Sequence, residues 1–340
     1  MKAKTIKSSI RWKINDWLKT IDDEEVRTLA EKNVIVTGGC IVSMLTNERV
    51  NDYDIYFRTY ECAKRVAEYY VERFKQNPPT KFKNADMDVA IRVESTDPVA
   101  GFTLPGDGIS DDVIVPPIDG RVKIIVKSAG VASENANNEY QYFEGHPDEV
   151  GQAYADSVMG DLDAGDDVPA SVLDTLSEKP KYRPVFLSGN AITLSDGIQL
   201  VTRFIGEPEV IHKYYDFVHC TCYWSSWDSK LVLPAAALEA ILTKELRYVG
   251  SLYPLCSIIR IRKFVARGWQ INAGQILKMC FQLNKLDLTS IPVLEDQLTG
   301  VDAAYFVQIL DRLKAKQKED GTEGKPIDGT YLMTIIDRLF

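Results

Sequence analysis

Two aspartates one residue apart, Asp52 and Asp54, follow a glycine pair, Gly38 and Gly39, after twelve intervening residues. In a strand, residues two apart project to the same face. An Asn-Asp-Tyr-Asp segment that opens a strand therefore sets both carboxylates side by side with Tyr56, and turns Tyr53, Ile55 and Phe57 to the other face. Two like charges at that spacing raise each other's pKa unless a cation neutralises them. Carboxylate oxygens suit Mg²⁺ or Mn²⁺, which also carry phosphate oxygens well. Glycines ahead of a short helix admit a phosphate to the backbone N–H groups at its N-terminus. Together these residues describe one task, the holding of a metal-bound nucleotide triphosphate. Gly38, Gly39 and Ser43 would lie on the phosphates, and Asp52 and Asp54 on the metal.

The elements that must position these groups are short. Val34 to Thr37 is a run of β-branched residues ending at the glycines, and Ile41, Met44 and Leu45 repeat with helical period, so the spacing predicts strand, tight turn and helix before the aspartate strand. Gly38-Gly39 with Asp52-Tyr53-Asp54-Ile55 resembles the motif of the DNA polymerase β-like nucleotidyltransferase superfamily. Its spacing is similar to that of the head domains of poly(A) polymerases and CCA-adding enzymes, which read roughly GGxVRDxLLG, a short loop, then DxD. Both glycines, Ile41, Leu45 and both aspartates are in register. Val42-Ser43 stands where those enzymes carry Arg-Asp, which argues against a standard CCA-adding activity. The resemblance implies an α+β fold with a nucleotidyltransferase-type mixed sheet and flanking helices. It also implies transfer of NMP from an NTP to a hydroxyl, and a third carboxylate on a strand adjacent to the aspartate pair.

The alternation from Tyr214 to Trp224 reads as a strand with Asp216 on the face of Val218, Cys220, Cys222 and Trp224. A lone carboxylate buried there costs several kcal/mol without a cation or metal partner, so Asp216 is the expected third ligand, ahead of Asp88. The block from Ser188 through Asp216 to Cys220 also resembles uncharacterised nucleotidyltransferase-like proteins of large bacteriophages. A zinc reading of His219, Cys220 and Cys222 is weaker than a plain core strand, because His219 would point away from the cysteines and no second cysteine pair stands at finger spacing. His212 reads as an exposed side chain.

The net charge of −9 is uneven. Glu134 to Glu178 holds twelve acidic residues and no Lys or Arg, and without it the chain would stand at +3. A nucleic-acid partner is therefore permitted, with a tRNA or another RNA 3′ end as one possible acceptor and a protein or small molecule as others. The six cysteines are scattered and read as reduced core residues. No apolar run reaches bilayer length, so no membrane partner and a cytoplasmic location, host cytoplasm if phage-encoded, are expected.

Residues 1–79 and 181–230 read as the catalytic head, 80–180 as an insertion with its acidic loop at 134–178, 231–313 as a helical domain, and 314–340 as a linker and terminal helix. In the head, one broken or two short helices span 10–32, and Thr59 caps a helix from Tyr60 to Gln76. The segments 87–93, 113–115 and 122–127 read as strands that extend the catalytic sheet. Helices are expected at 147–158, 235–248, 255–267, 273–283, 302–314 and 331–340. The basic first turns (Lys2, Lys4, Lys7, Arg11, Lys13) read first as a solvated terminus. Arg260, Arg262, Lys263 and Arg267 have no acid among them, and Arg262 and Lys263 are candidate phosphate contacts. The composite expectation is a metal-dependent nucleotidyltransferase. The alternative is a catalytically silent version of the same fold, serving as a binding or structural protein of phage origin.

Overall fold

The computed structural model describes residues 1–77, 86–99, 102–104, 113–115, 120–126, 142–143, 180–298, 313–314, 316–322 and 325–339. It divides into two compact units. The first comprises Met1–Glu144, Pro180–Lys213 and Cys222–Leu233; the described residues of the second come from Tyr214–Thr221 and from Pro234 onward.

The first unit is built on a mixed sheet of β1 (Val34–Thr37), β2 (Tyr53–Phe57), β7 (Tyr142–Phe143), β8 (Pro184–Ser188), β9 (Ala191–Leu194), β10 (Ile198–Ile205), β11 (Tyr223–Ser225) and β12 (Lys230–Val232). Their spatial order is β12-β11-β1-β2-β10-β9-β8-β7. Only β2 and β10 run parallel; the other neighbours are antiparallel. The fold is therefore α+β with a mixed sheet and flanking helices, as the motif implied.

Helices α1 (Ala3–Leu18) and α2 (Glu24–Asn33) are separate, and Asp23 caps the second through Glu25 and Val26 N–H. α3 (Gly39–Thr46) follows β1 and ends on Asn47 in the left-handed region, at φ 61°. α4 (Tyr60–Gln76) is capped by Thr59 and packs its apolar stripe against α2, β2 and β10. The Trp17 indole donates to the Tyr70 hydroxyl at 2.7 Å and ties α1 to α4 inside the core.

Three sequence expectations in this unit fail. The 87–93 segment is not one strand, because Asp86 caps a single helical turn, α5 (Met87–Ala90), and β3 (Ile91–Thr96) begins only after it. Asp88 is exposed on that turn and paired with Lys75. β3 pairs with β6 (Arg121–Val126), and β4 (Phe102–Leu104) with β5 (Val113–Val115), in two small separate sheets rather than extending the main one.

The 214–224 strand also fails. Tyr214–Thr221 belongs to the second unit, where Val218–Thr221 is a 3-10 turn; of the segment only Tyr223 and Trp224 are strand, in β11 (Tyr223–Ser225) of the first unit. The apolar alternation there serves an aromatic cluster instead of a pleat.

The second unit is helical, with α7 (Ala235–Thr243), α8 (Pro254–Ala266), α9 (Ala273–Leu283), α10 (Ile291–Leu298) and α11 (Gly329–Leu339). α7 stops five residues short of the expected Tyr248 because Lys244 turns left-handed, at φ 50°. Gly268, at φ 80°, closes the end of α8. The expected helices at 147–158 and over most of 302–314, and the acidic loop apart from Tyr142–Phe143, lie outside the described residues.

Candidate functional site

The first unit's sheet carries a polar row across one face. Backbone pairing sets Tyr223 beside Thr37, Thr37 beside Asp54, Asp54 beside Gln199 and Gln199 beside Thr193. Laterally paired residues project to the same face, so these five side chains form one line. The next row, Trp224, Val36, Ile55, Leu200 and Ile192, projects to the opposite face and is buried throughout. The sheet is thus polar on one side and apolar on the other at the same height, with Thr37 and Gln199 of the polar row themselves buried.

Asp54 is half-buried in β2, and Asp52, just before the strand, is exposed. Their position follows from two turns. At Gly38 the chain adopts φ 88° and ψ −147°, a conformation costly for any side-chain-bearing residue, and α3 begins there without a side-chain cap. Asp196 and Gly197 take φ 63° and 67°, a left-handed pair in the three-residue turn, Ser195 to Gly197, between β9 and β10. Gly197 O accepts from Tyr53 N–H at 2.9 Å, and a Cβ on Gly197 would meet Asn51 O at 2.7 Å. That hairpin clamps the two residues that flank Asp52. Lys13 secures it from the other side, donating to Asp196 O and lying 5.6 Å from the Tyr53 ring centre. Burial, opposed by Asp196 and Asp16, lowers the Lys13 pKa.

Both aspartates act on the first turn of α3. Burial first, then the charges of Asp54 and Asp52, hold the Cys40 thiol well above its ordinary pKa, so it stays protonated. Asp54, paired with Thr37 just ahead of Gly38, lies by the uncapped N-terminus of α3, and Asp52 stands two residues before it in the chain. Among the described residues, no atom lies within 4 Å of a Cβ built on Gly39. Ser43, one helical turn further on, is buried.

Thr37 is fully buried. Its hydroxyl donates to Cys222 O at 2.9 Å and lies 2.9 Å from His212 Nε2. Burial lowers the His212 pKa to about 4, so the ring is neutral at pH 7. His212 is therefore a built part of the polar face rather than the exposed side chain expected of it.

Asp216 stands in the second unit, 7% exposed, with Arg260 Nη1 2.6 Å from its carboxylate. The cation that burial demanded is Arg260. On β10, the strand beside Asp54, the paired position carries Gln199, not an acid. Gln199 is 4% exposed, and its Nε2 has no hydrogen-bond partner among the described residues. Among the described residues, no three His, Cys, Asp or Glu side chains gather in a way that would hold a metal. Arg262 is exposed and Lys263 half-buried on α8. His219 is fully buried against Phe264, Trp269 and Phe217, with ring centres 4.3 to 5.8 Å away. Burial lowers its pKa to about 4.

Sequence reasoning missed Thr37, Gln199, His212 and Tyr223 as one group. The available signal was a single polar residue inside each of two apolar strands, Thr37 after Val34-Ile35-Val36 and Gln199 between Ile198 and Leu200.

Residues 8–244 match the model of the Gabija anti-defense 2 family. The chain belongs to that family. The matched stretch contains the glycine pair, both aspartates and the whole polar row. No curated protein matches the chain. Among solved structures, this Gabija anti-defense 2 family member is similar to the Thermotoga maritima CCA-adding enzyme complexed with tRNA-CCA, at a TM-score of 0.34 and 13% identity over 88% of this chain and 54% of that one. The chain thus spans about half the length of that enzyme. No described helix is long and apolar enough to cross a membrane.

Proposed function

We propose that the protein is a metal-dependent nucleotidyltransferase that moves NMP from an NTP to a hydroxyl acceptor, and that this chemistry serves a phage in countering the Gabija defence named in its family description. One observation carries the reading. The β1-glycine-α3-β2 unit sets Asp54 beside Thr37 at an uncapped helix start, with Asp52 two residues ahead of it and no described atom within 4 Å of a Cβ at Gly39.

The donor set fits a hard divalent cation. It consists of two carboxylates, one exposed and one half-buried, beside a cysteine that stays protonated and offers no thiolate. Asp52 and Asp54 would hold Mg²⁺ or Mn²⁺, which when bound neutralises phosphate oxygens and acidifies a hydroxyl. The N–H groups after Gly38 bind the triphosphate, and the Asp-Gly hairpin keeps Asp52 and Asp54 at fixed distance from it. Neutral His212, locked by Thr37, holds the adjoining part of the face in one arrangement. The acceptor oxygen attacks the α-phosphorus, the bond to the β-phosphate oxygen breaks, pyrophosphate leaves, and the acceptor proton passes to water or to Asp54. An RNA 3′ end is one acceptor that fits; protein and small-molecule hydroxyls are the others.

Each NTP, labelled at the α-phosphate, is incubated with the protein, Mg²⁺ or Mn²⁺, and cellular RNA and protein. Label in one fraction identifies the acceptor, and Asp54→Ala is expected to lower pyrophosphate release at least about 1,000-fold. Undiminished release by that variant overturns the proposal. Gln199 at the position beside Asp54 favours a second reading, a silent fold that binds nucleotide. Binding of NTP with no transfer to any fraction would establish it.

A further inference from the structure

α1 buries Ile6, Ile10, Ile14, Trp17 and Leu18 against the first unit, so its apolar requirement is met on one side. The other side carries Lys4, Ser8, Arg11, Trp12, Asn15 and, just past the helix end, Lys19, all exposed. At about 100° per residue and 1.5 Å rise, these six share an arc of about 100° along roughly 22 Å. Lys2 and Lys7 flank them. Among the described residues no ion pair engages Lys2, Lys4, Lys7, Arg11 or Lys19. The helix's single acid, Asp16, is held by the Tyr182 hydroxyl at 2.8 Å and by Lys181 at 3.6 Å.

Trp12 is 67% exposed in the middle of this cationic strip. Its neighbours one turn away on the same side, Ser8 and Asn15, are short, which leaves a face of the indole open. A membrane-surface helix would set Leu or Phe beside the Trp, but here the aliphatic stripe is already used by the core. Duplex nucleic acid supplies phosphates but no free base for the indole. Phosphates in a row with unstacked bases between them match both features.

We propose that this face of α1 docks single-stranded nucleic acid, with phosphates on Lys4, Arg11 and Lys19 and a base stacked on Trp12. The proposal does not depend on the nucleotide site, since it concerns binding without NTP, and Asp54→Ala leaves it unchanged.

The test uses the full chain and fluorescence anisotropy with labelled 12-nucleotide RNA and DNA single strands, a duplex of the same sequence, and anionic phosphatidylglycerol vesicles. Single strands are expected to bind, with log K falling against log salt at a slope of about −2 for three phosphates. The RNA and DNA arms show which backbone is preferred. Trp12→Ala is expected to weaken binding about tenfold. Lys4→Glu with Arg11→Glu is expected to remove measurable binding while the far-ultraviolet circular dichroism is retained. Equal affinity in wild type and Trp12→Ala, absence of single-strand binding by wild type, or capture by vesicles alone each overturns the proposal.

Discussion

The sheet unit and the helical unit each hold an aspartate and a histidine, half-buried in the first and buried in the second, and they treat the pair in opposite ways. In the helical unit Asp216 already has its cation, Arg260 at 2.6 Å, and His219 sits among aromatic rings, with neither ring nitrogen hydrogen-bonded to any described residue. In the sheet unit Asp54 stands in a polar row beside an uncapped helix start, and His212 is wired through Thr37 to the Cys222 carbonyl. The helical pair is closed on itself and reads as structure. The sheet pair belongs to a surface arranged to receive something. A buried acid is thus a poor pointer to chemistry until its counter-ion is known.

The sharpest way to break this comparison is to exchange the penalties. Asp54→Ala is expected to cost activity, at least about 1,000-fold, with little change in melting temperature, because Asp54 is only half-buried, near the start of β2. Arg260→Leu is expected to do the reverse. It strands a buried carboxylate and destabilises the helical unit by about 3 kcal/mol, at the low end for buried pairs because the Arg260 side chain is 31% exposed. Transfer per folded molecule should be unchanged. If Arg260→Leu abolishes transfer while thermal melting stays the same, Asp216 is the third carboxylate after all.

The histidines sharpen the same contrast through pH. His219 titrates at about 4 in the fold against an ordinary 6.5. Between those values the unfolded chain takes up a proton that the folded one refuses, so stability is full above pH 6.5 and falls as pH drops toward 4. For a ring as buried as this one the total is roughly 3 kcal/mol. His219→Phe keeps the aromatic packing and removes the titration. Denaturant melts of the variant should lose most of the acid dependence of the helical unit, and a slope equal to wild type would show that His219 is not the cause.

Much of the site's frame was legible because local chemistry decides it. Apolar β-branched Val34 to Thr37, a glycine pair and a helical period left little choice but strand, turn and helix, and Asp-Gly at 196–197 specified its hairpin. What was not legible depended on contacts distant in sequence. The 214–224 segment alternates like a strand, yet Phe217 and His219 alternate to meet Phe264 and Trp269, which no local pattern announces. Asp216 looked like a metal ligand because Arg260, the cation that meets it, lies 44 residues away and was read only as one of a run of cations without an acid. The separateness of the small sheets was likewise hidden, since apolar runs such as Val122 to Val126 show that a strand forms but not which neighbour it pairs with.

The smallest expected effect tests the receiving surface most directly. At Gly38, with φ 88°, any side chain is strained, so Gly38→Ala should destabilise the sheet unit by about 1 to 2 kcal/mol whatever the site does. Gly39 differs: a Cβ there meets no described atom within 4 Å, and alanine is a good helix former at the start of α3. Gly39→Ala should therefore fold and melt like wild type. If triphosphate approaches the backbone at that point, the added methyl intrudes on the phosphates and the KM for NTP rises about tenfold, with kcat far less affected. An unchanged KM would mean that the space over Gly39 receives nothing, and the sheet unit would then be as closed on itself as the helical one.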